Sequence, residues 1–562
     1  MMAGMKASQA GLPSHVQGCT DTPLLEETLG AWLDRAARAH GGADALVSAG
    51  QGVRLSYRGL RDEVDRVACG LLSLGLQRGD RIGIWSPNRV EWVLTQLAAA
   101  RVGLVLVTLN PGYRELEALH ALRLSGCRAV VAPEMHKRSG YHDMLRALRA
   151  GPEGNRLPAL EHVIALDGRP DADWLSWGQL LDRSSQVSMR DAVEAVAAQQ
   201  PGDPINIQFT SGTTGTPKGA TLSHRNILNN GFFVGETLRL GSADRLCLCV
   251  PLYHCFGLVM GVLGALTHGA AVVLAGEGFD AEATLDTVER ERCTALYGVP
   301  TMFVSLLEAQ TRQPRRVDTL RTGVMAGAPC PEALMRDVMT RLSMPQVTIC
   351  YGMTETSPVS FQSQVDDPLG PRVKTVGRVH PHVEVKIVDG EGRTVPRGTP
   401  GELLTRGYSV MLGYWNDRKR TREAVDAEGW MHTGDLATLD DAGHARIVGR
   451  IKDMLIRGGE NIYPREIEEW LFQHPAVAEV QVFGVPDPRW GEEVCAWVRL
   501  KPGSELDAEA LRQWCRERMA HFKVPRHLAF VQAFPMTVTG KVQKHRMREA
   551  MIERLAAGPV GG

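Results

Sequence analysis

The sequence predicts an α/β protein of more than one domain. It expects a large N-terminal domain of two related α/β halves with a small β-rich subdomain, then a small α+β C-terminal domain. Three observations carry this. The chain has 562 residues, and single hydrophobic cores stop growing at about 250–300 residues. Helical and strand patterns alternate in two separate stretches, which argues for parallel sheets covered by helices. From His382 onward the texture changes to short strands between Gly, Pro and Asp turns, then to a mixed tail.

In order along the chain, Thr28 to Arg38 has helical apolar spacing. So does Tyr57 to Leu74, where Tyr57, Leu60, Val64, Val67, Leu71 and Leu72 form one face. Gly79-Asp80 is a turn, Arg81 to Trp85 a short apolar run, Asn88 to Gly103 a helix and Val105 to Leu109 a strand. The alternation returns with strands at Arg245 to Val250, Ala270 to Leu274 and Ala295 to Val299. Helices are expected between and after them at Phe256 to Thr267, Ala281 to Arg290 and Thr301 to Ala309. Glu384 to Val388, Gly401 to Thr405 and Ala445 to Val448 read as the short strands of the subdomain. In the tail, helices at Glu466 to Gln473 and Ala508 to Met519 flank strands at Val477 to Gly484 and Val494 to Leu500. A boundary near Gly449-Arg450 divides the chain into a flexible tail at 1–24, a large domain at 25–449, a hinge at 450–452 and a small domain at 453–562.

The charge is balanced, 63 Lys plus Arg against 64 Asp plus Glu, so no global field draws the chain to nucleic acid or an anionic surface. The 11 cysteines include no C-x-x-C pair, and buried free thiols in a reducing cytoplasm are the expectation. Met1 to Gly18 holds one Lys and no apolar core of a signal peptide. The most membrane-like stretch, Leu258 to Gly276, is broken by Thr267, His268 and glycines. It reads as a buried helix, a turn at His268-Gly269 and a strand, with no integral membrane segment. The oligomeric state is not legible, and a homodimer is left open.

The strongest chemical signal runs from Ile207 to Gly219. Gly212, Gly215 and Gly219 let the backbone turn tightly around an anion, Thr210, Ser211, Thr213, Thr214 and Thr216 add hydroxyl donors, and Lys218 adds charge. That combination suits a polyphosphate. Pro217 stands where a Walker A loop needs its second glycine, so this is a different phosphate loop.

With this segment the chain resembles the adenylate-forming superfamily: acyl-CoA synthetases, luciferase-like enzymes and peptide-synthetase adenylation domains. Further motifs follow in the family's order. They are Pro251-Leu252-Tyr253-His254-Cys255-Phe256-Gly257, Ala326-Gly327-Ala328-Pro329 and Tyr351-Gly352-Met353-Thr354-Glu355. Then come Gly429 to Asp435, Gly449 to Asp453, Gly458 to Pro464 and Thr539-Gly540-Lys541. The resemblance runs from about Leu25 to Lys544 and lies nearest the medium-chain fatty acyl-CoA synthetase branch. It implies a mobile C-terminal domain and a cytoplasmic enzyme using ATP, Mg²⁺ and coenzyme A on a small carboxylic acid.

The resemblance also assigns roles. Glu355 is expected to hold magnesium, a role its chemistry suits because a carboxylate beside a phosphate loop needs a cation between them. Thr354 touches the α-phosphate, while Tyr351, Gly352, Gly327, Ala328 and Pro329 surround the adenine. Asp435 accepts the ribose hydroxyls beside Arg450. His254 gates the acyl carboxylate, with Tyr253 standing where many relatives have Phe. Lys541 is the catalytic lysine of adenylation, with Lys544 a neighbour to be told apart from it. Lys452 is the hinge, and Gly458, Gly459, Glu460 and Asn461 line the CoA tunnel. Phe256, Val259, Met260, Met302, Phe303, Met325 and Met353, with His254, are the expected acyl-pocket residues. This apolar, pliable set favours an alkyl chain over an amino acid.

The implied reaction has two steps, acyl-adenylate formation with release of pyrophosphate, then attack by the CoA thiol with release of AMP. Two other readings compete. One keeps adenylation with another acid (aromatic, branched or short-chain) or another acceptor, such as a carrier protein or oxygen. The other is a non-catalytic nucleotide-binding regulator.

Overall fold

A computed structural model describes residues 12–150, 156–188, 194, 197–210, 217–458, 460–536 and 542–556. The chain divides into two compact units. The larger holds 16–385 and 405–431. The smaller holds 386–404, 432–562 and the first residues up to His15, as far as each is described.

The larger unit contains two sheets. The first has eight strands in the order Leu175–Ser176, His162–Ala165, Cys127–Ala132, Arg81–Ile84, Val105–Thr108, Pro204–Thr210, Lys218–Ser223 and Gly413–Tyr414. It is parallel from its first strand to Pro204–Thr210, and the last two strands are antiparallel. The second has nine strands, with a parallel centre of Gln346–Gly352, Thr322–Ala326, Ala295–Gly298, Arg245–Leu248, Ala271–Leu274 and Asp44–Ser48. These are the two α/β halves the alternation predicts.

Burial explains why the strands read as unbroken apolar runs. Leu104 and Leu106 join one core cluster with Trp92, Leu222 and Leu248. Their neighbours Val105 and Val107 join another, with Trp85, Val130 and Tyr141. Successive side chains point to opposite faces, and helices cover both.

One expected helix has an unexpected form. Phe256–Leu263 is a π-helix, continued as an α-helix over Gly264–Leu266. Its surroundings are glycine-lined. A Cβ at Gly257 would sit 2.2 Å from the Pro251 carbonyl oxygen, and one at Gly261 would sit 2.5 Å from Leu248 Cδ1. Such i→i+5 segments are rare and cluster at functional sites. The expected turn follows at Gly269, with φ +75°.

In the smaller unit, Met431–Leu439 and Ala445–Arg450 form an antiparallel pair. The C-terminal part is a sheet of Glu460–Ile462, Leu455–Arg457, Gly491–Leu500 and Val477–Asp487, with His527–Phe530 parallel beside Gly491–Leu500. Val494, Ala496 and Val498 pack with Ile467 and Leu511 of the helices Pro464–Phe472 and Ala508–Arg516. Cys495 and Trp497 pack on the other face with Met547 and Met551 of Lys544–Ala556. The α+β tail is thus as expected, with strand His527–Phe530 and the last helix added. No helix among the described residues is long and apolar enough to cross a membrane.

Candidate active site

The site-bearing segments of the larger unit leave the carboxyl ends of parallel strands. Ala326 pairs with Cys350 across two adjacent parallel strands. Gly327, Ala328 and Pro329 therefore emerge beside Tyr351 and Gly352, at the edge where open α/β sheets bind ligands. Gly327 has φ +84°, and a Cβ at Gly352 would fall 1.8 Å from the Pro358 carbonyl oxygen, so the chain requires glycine at both positions.

Thr354 and Glu355 follow in a single 3₁₀ turn and are buried. The Glu355 carboxylate is the hub of a polar chain. Tyr414 donates its hydroxyl to Glu355 Oε1 at 2.9 Å, and Thr210 Oγ1 donates to the same oxygen at 3.3 Å. Lys218 Nζ donates to the Tyr414 hydroxyl oxygen at 3.1 Å and lies 4.2 Å from the ring centroid. Burial, and then the Glu355 carboxylate, push the Tyr414 phenol well above its ordinary range. It therefore stays protonated and directs that proton to Glu355.

A second contact chain starts at Thr354. The buried Cys255 thiol lies 3.8 Å from Thr354 Oγ1 and 3.5 Å from His254 Nδ1. The Phe256 backbone N–H donates to His254 Nδ1 at 3.2 Å, which assigns the imidazole proton of the neutral ring to Nε2. Asn88 fixes the turn before His254: its amide donates to the Val250 carbonyl at 2.9 Å and its oxygen accepts from Leu252 N at 2.8 Å.

Phe256, Val259 and Met260 belong to one core cluster, against which Met302 and Met353 pack. The Phe256 ring stacks on Tyr297, with centroids 5.8 Å apart. Met325 is placed differently. Its strand neighbours Val324 and Ala326 join that cluster, so the period of two turns Met325 to the opposite face of the sheet.

In the smaller unit, Asp435 and Arg450 sit opposite each other on paired strands, with Arg450 Nε 2.9 Å from Asp435 Oδ1. Asp435 is buried and Arg450 half-exposed. Lys452 lies in the 3₁₀ turn Ile451–Asp453 directly after that strand, with its side chain exposed. Gly458 turns the hairpin between Leu455–Arg457 and Glu460–Ile462 with φ +59°, and a Cβ there would meet Trp490 Cε3 at 2.9 Å. Lys544 is tied down by Glu468 Oε1 at 2.6 Å and the Val482 carbonyl at 2.9 Å, which gives it a structural task. Ser211, Gly212, Thr213, Thr214, Gly215, Gly459, Lys541 and the side chain of Asn461 lie outside the described residues.

The structure adds Tyr414, Cys255 and Asn88 to the residues expected from sequence. Only Cys255 carried a signal, lying inside a recognised segment. Among the described residues, no group of three or more His, Cys, Asp or Glu side chains is placed to hold a metal ion.

This site on this fold defines a nucleotide-dependent enzyme of the adenylate-forming type. Family models agree: an AMP-binding enzyme domain matches residues 33–415, and an AMP-binding enzyme C-terminal domain matches 466–541. The chain belongs to the AMP-binding enzyme family. The mitochondrial medium-chain acyl-CoA ligase ACSF2 of Macaca fascicularis is 44% identical over 555 residues, covering 96% of this chain and 90% of that protein. Among solved structures, the anthranilate CoA ligase AuaEII in complex with anthranoyl-AMP has a TM-score of 0.85 at 28% identity, covering 96% of this chain and 99% of that one. ATP-bound MatB from Rhodopseudomonas palustris has a TM-score of 0.82 at 30% identity, covering 94% and 100%.

Proposed function

We propose that this protein is an AMP-forming acid–thiol ligase that converts a fatty acid, of medium chain length, with ATP and CoA to acyl-CoA, AMP and pyrophosphate. The observation that carries the reading is the pair of contact chains meeting at Thr354-Glu355. They set a buried carboxylate, a lysine and hydroxyl donors beside a histidine that borders an apolar cluster.

That arrangement suits a carboxylate attacking a phosphate. Lys218 and Thr210 would meet the phosphates, Thr354 the α-phosphate, and His254 would offer its Nε2 proton toward the incoming acid. Mostly, the protein orients two anions and offsets their charge. Glu355 fits a Mg²⁺ role, since magnesium takes one or two carboxylates plus substrate phosphates rather than an all-protein cage. Both hydrogen bonds to its carboxylate, among the described residues, fall on Oε1. When bound, the ion would neutralise phosphate charge. Asp435 and Arg450 would hold the ribose. Lys541 would stabilise charge during adenylation, and rotation about Lys452, between domains at 25–449 and 453–562, would then exchange it for the Gly458 to Tyr463 hairpin and the CoA thiol.

The acid is read from the apolar lining and from the medium-chain name of relatives 44% identical to this chain. The same names place those relatives in mitochondria, so the compartment of this chain is to be decided by fractionation.

Pyrophosphate release with MgATP, CoA and straight-chain acids from acetate to palmitate, with aromatic and amino acids added, tests the proposal. A maximum at intermediate length, with acyl-CoA as product, is expected. Release only with aromatic acids would keep adenylation and overturn the fatty-acid reading. Nucleotide binding without release for any acid would overturn the ligase.

A further inference from the structure

Tyr414 stands between two opposite charges in a buried site, and backbone contacts of its own strand also fix its place. Its strand Gly413–Tyr414 pairs with Lys218–Ser223, with Ala220 opposite Tyr414. Its backbone N–H donates to Thr421 Oγ1 at 2.9 Å, and the next residue, Trp415, donates its N–H to the Gly219 carbonyl at 2.7 Å. Tyr414 is 6% exposed. The fold therefore fixes the hydroxyl, and the hydroxyl engages Lys218 at 3.1 Å on one side and Glu355 at 2.9 Å on the other.

We propose that Tyr414 is a positioning residue that keeps the Lys218 ammonium and the Glu355 carboxylate from closing into a direct ion pair before nucleotide binds. This rests on the ligase reading, in which Glu355 serves the metal and Lys218 the phosphates. With no hydroxyl between them, a lysine and a buried carboxylate lose a hydrogen bond each, and their contacts of 3.1 Å and 2.9 Å to one shared oxygen leave them close enough to pair with each other. Such a pair would withdraw the carboxylate from a cation and the ammonium from phosphate. The phenol prevents this by giving Glu355 a proton donor and Lys218 a lone pair in one atom. The ring face beneath Nζ adds a weaker cation–π contact that Phe would retain. The hydroxyl can thus be tested apart from the ring.

The test is Tyr414→Phe, read by calorimetric binding of a non-cleavable α,β-methylene ATP at graded Mg²⁺, beside a thermal melt. The expected result is a melting temperature no lower than wild type and a Mg²⁺ midpoint raised about tenfold, the effect of one hydrogen bond to a charged group. Binding should recover at high Mg²⁺. In a Lys218→Gln background the same Tyr414→Phe change should leave the Mg²⁺ midpoint where Lys218→Gln alone puts it, because no cation remains to capture Glu355. An unmoved midpoint in Tyr414→Phe overturns the inference. So does an equal shift in the Lys218→Gln background, which would mean the hydroxyl serves the carboxylate alone. A lowered melting temperature with binding lost at every Mg²⁺ concentration also overturns it, in favour of a packing role. Failure of wild type to bind the analogue would instead strike the nucleotide reading itself.

Discussion

Gly231 offers a test of how the apolar end of the site is built. It lies in the helix His224–Thr237, which packs on the π-helix Phe256–Leu263. A Cβ at this position would lie 2.7 Å from Leu263 Cβ, 2.9 Å from the Val259 carbonyl oxygen and 3.1 Å from Gly264 N. Two of those atoms are backbone, so no rotamer change makes room. Gly231→Ala sets two effects against each other. Alanine in a helix interior gains about 1 kcal/mol over glycine. Overpacking a tight contact costs about 1–3 kcal/mol, and a clash with backbone belongs near the upper end. The net expectation is a loss of about 1–2 kcal/mol, read from urea unfolding followed by tryptophan fluorescence. Gly42→Ala, where a Cβ meets nothing within 4 Å, is the neutral comparison. Moving the π-helix also moves Phe256 and Val259, while Thr210, Lys218 and Glu355 lie on other elements. KM for the acid should rise several-fold with KM for ATP unchanged. A Gly231→Ala enzyme as stable as wild type, with the same KM for acid, would refute both the tight crossing and its place in the pocket.

Acid should destabilise the larger unit through two buried neutral histidines. Burial lowers the pKa of His224 to about 4 and of His380 to about 3, from an ordinary 6.5. Between pH 6.5 and those values the unfolded chain binds protons that the native one refuses, so stability falls as pH falls. At pH 5 each histidine should cost about 2 kcal/mol relative to pH 7. Urea midpoints that do not fall between pH 7 and pH 5 would sink this reading. Lys541→Ala should cut adenylate formation about a hundredfold or more and spare thioester formation from supplied acyl-AMP. Lys544→Met should instead lower stability, by loosening Glu468 and the Val482 carbonyl, and keep both half-reactions; the reverse pattern would exchange the two lysines' roles.

The sequence showed clearly what one strand or helix shows by itself. Val105 to Leu109 and Arg245 to Val250 read as strands because both faces are buried, and the short spacing between them and their helices gives a parallel sheet. The candidate phosphate loop stands out in the sequence because its glycines, hydroxyls and lysine are contiguous, although 211–216 lie outside the described residues. What escaped depends on contacts made across the chain. Tyr414 lies 196 residues from Lys218 and 59 from Glu355, with no spacing rule to join them. The close crossing of the helix His224–Thr237 with Phe256–Leu266 has Gly231 on one side and Gly264 on the other, a pair that no local spacing rule joins. Gly458 was legible as a glycine that matters, and the structure supplies a local reason: its φ of +59° and the Trp490 ring at 2.9 Å.

That local reason bears on the proposed CoA tunnel. A glycine kept for a tunnel needs empty space beside its Cα, whereas Gly458 faces an indole. The two demands are separable at Trp490, which Arg457 and Arg489 also flank, with guanidinium carbons 5.1 Å and 4.7 Å from the ring centroid. If Gly458 serves only the hairpin, its need for glycine comes from Trp490 and the left-handed backbone. Trp490→Ala would then remove the clash and make Gly458→Ala tolerable apart from about 1–2 kcal/mol of backbone strain. If pantetheine passes there, Gly458→Ala should still raise KM for CoA in the Trp490→Ala background, with pyrophosphate release in the first half-reaction unchanged. Since φ +59° strains alanine in either case, stability alone does not separate the two demands, and KM for CoA in the double variant is the quantity that does.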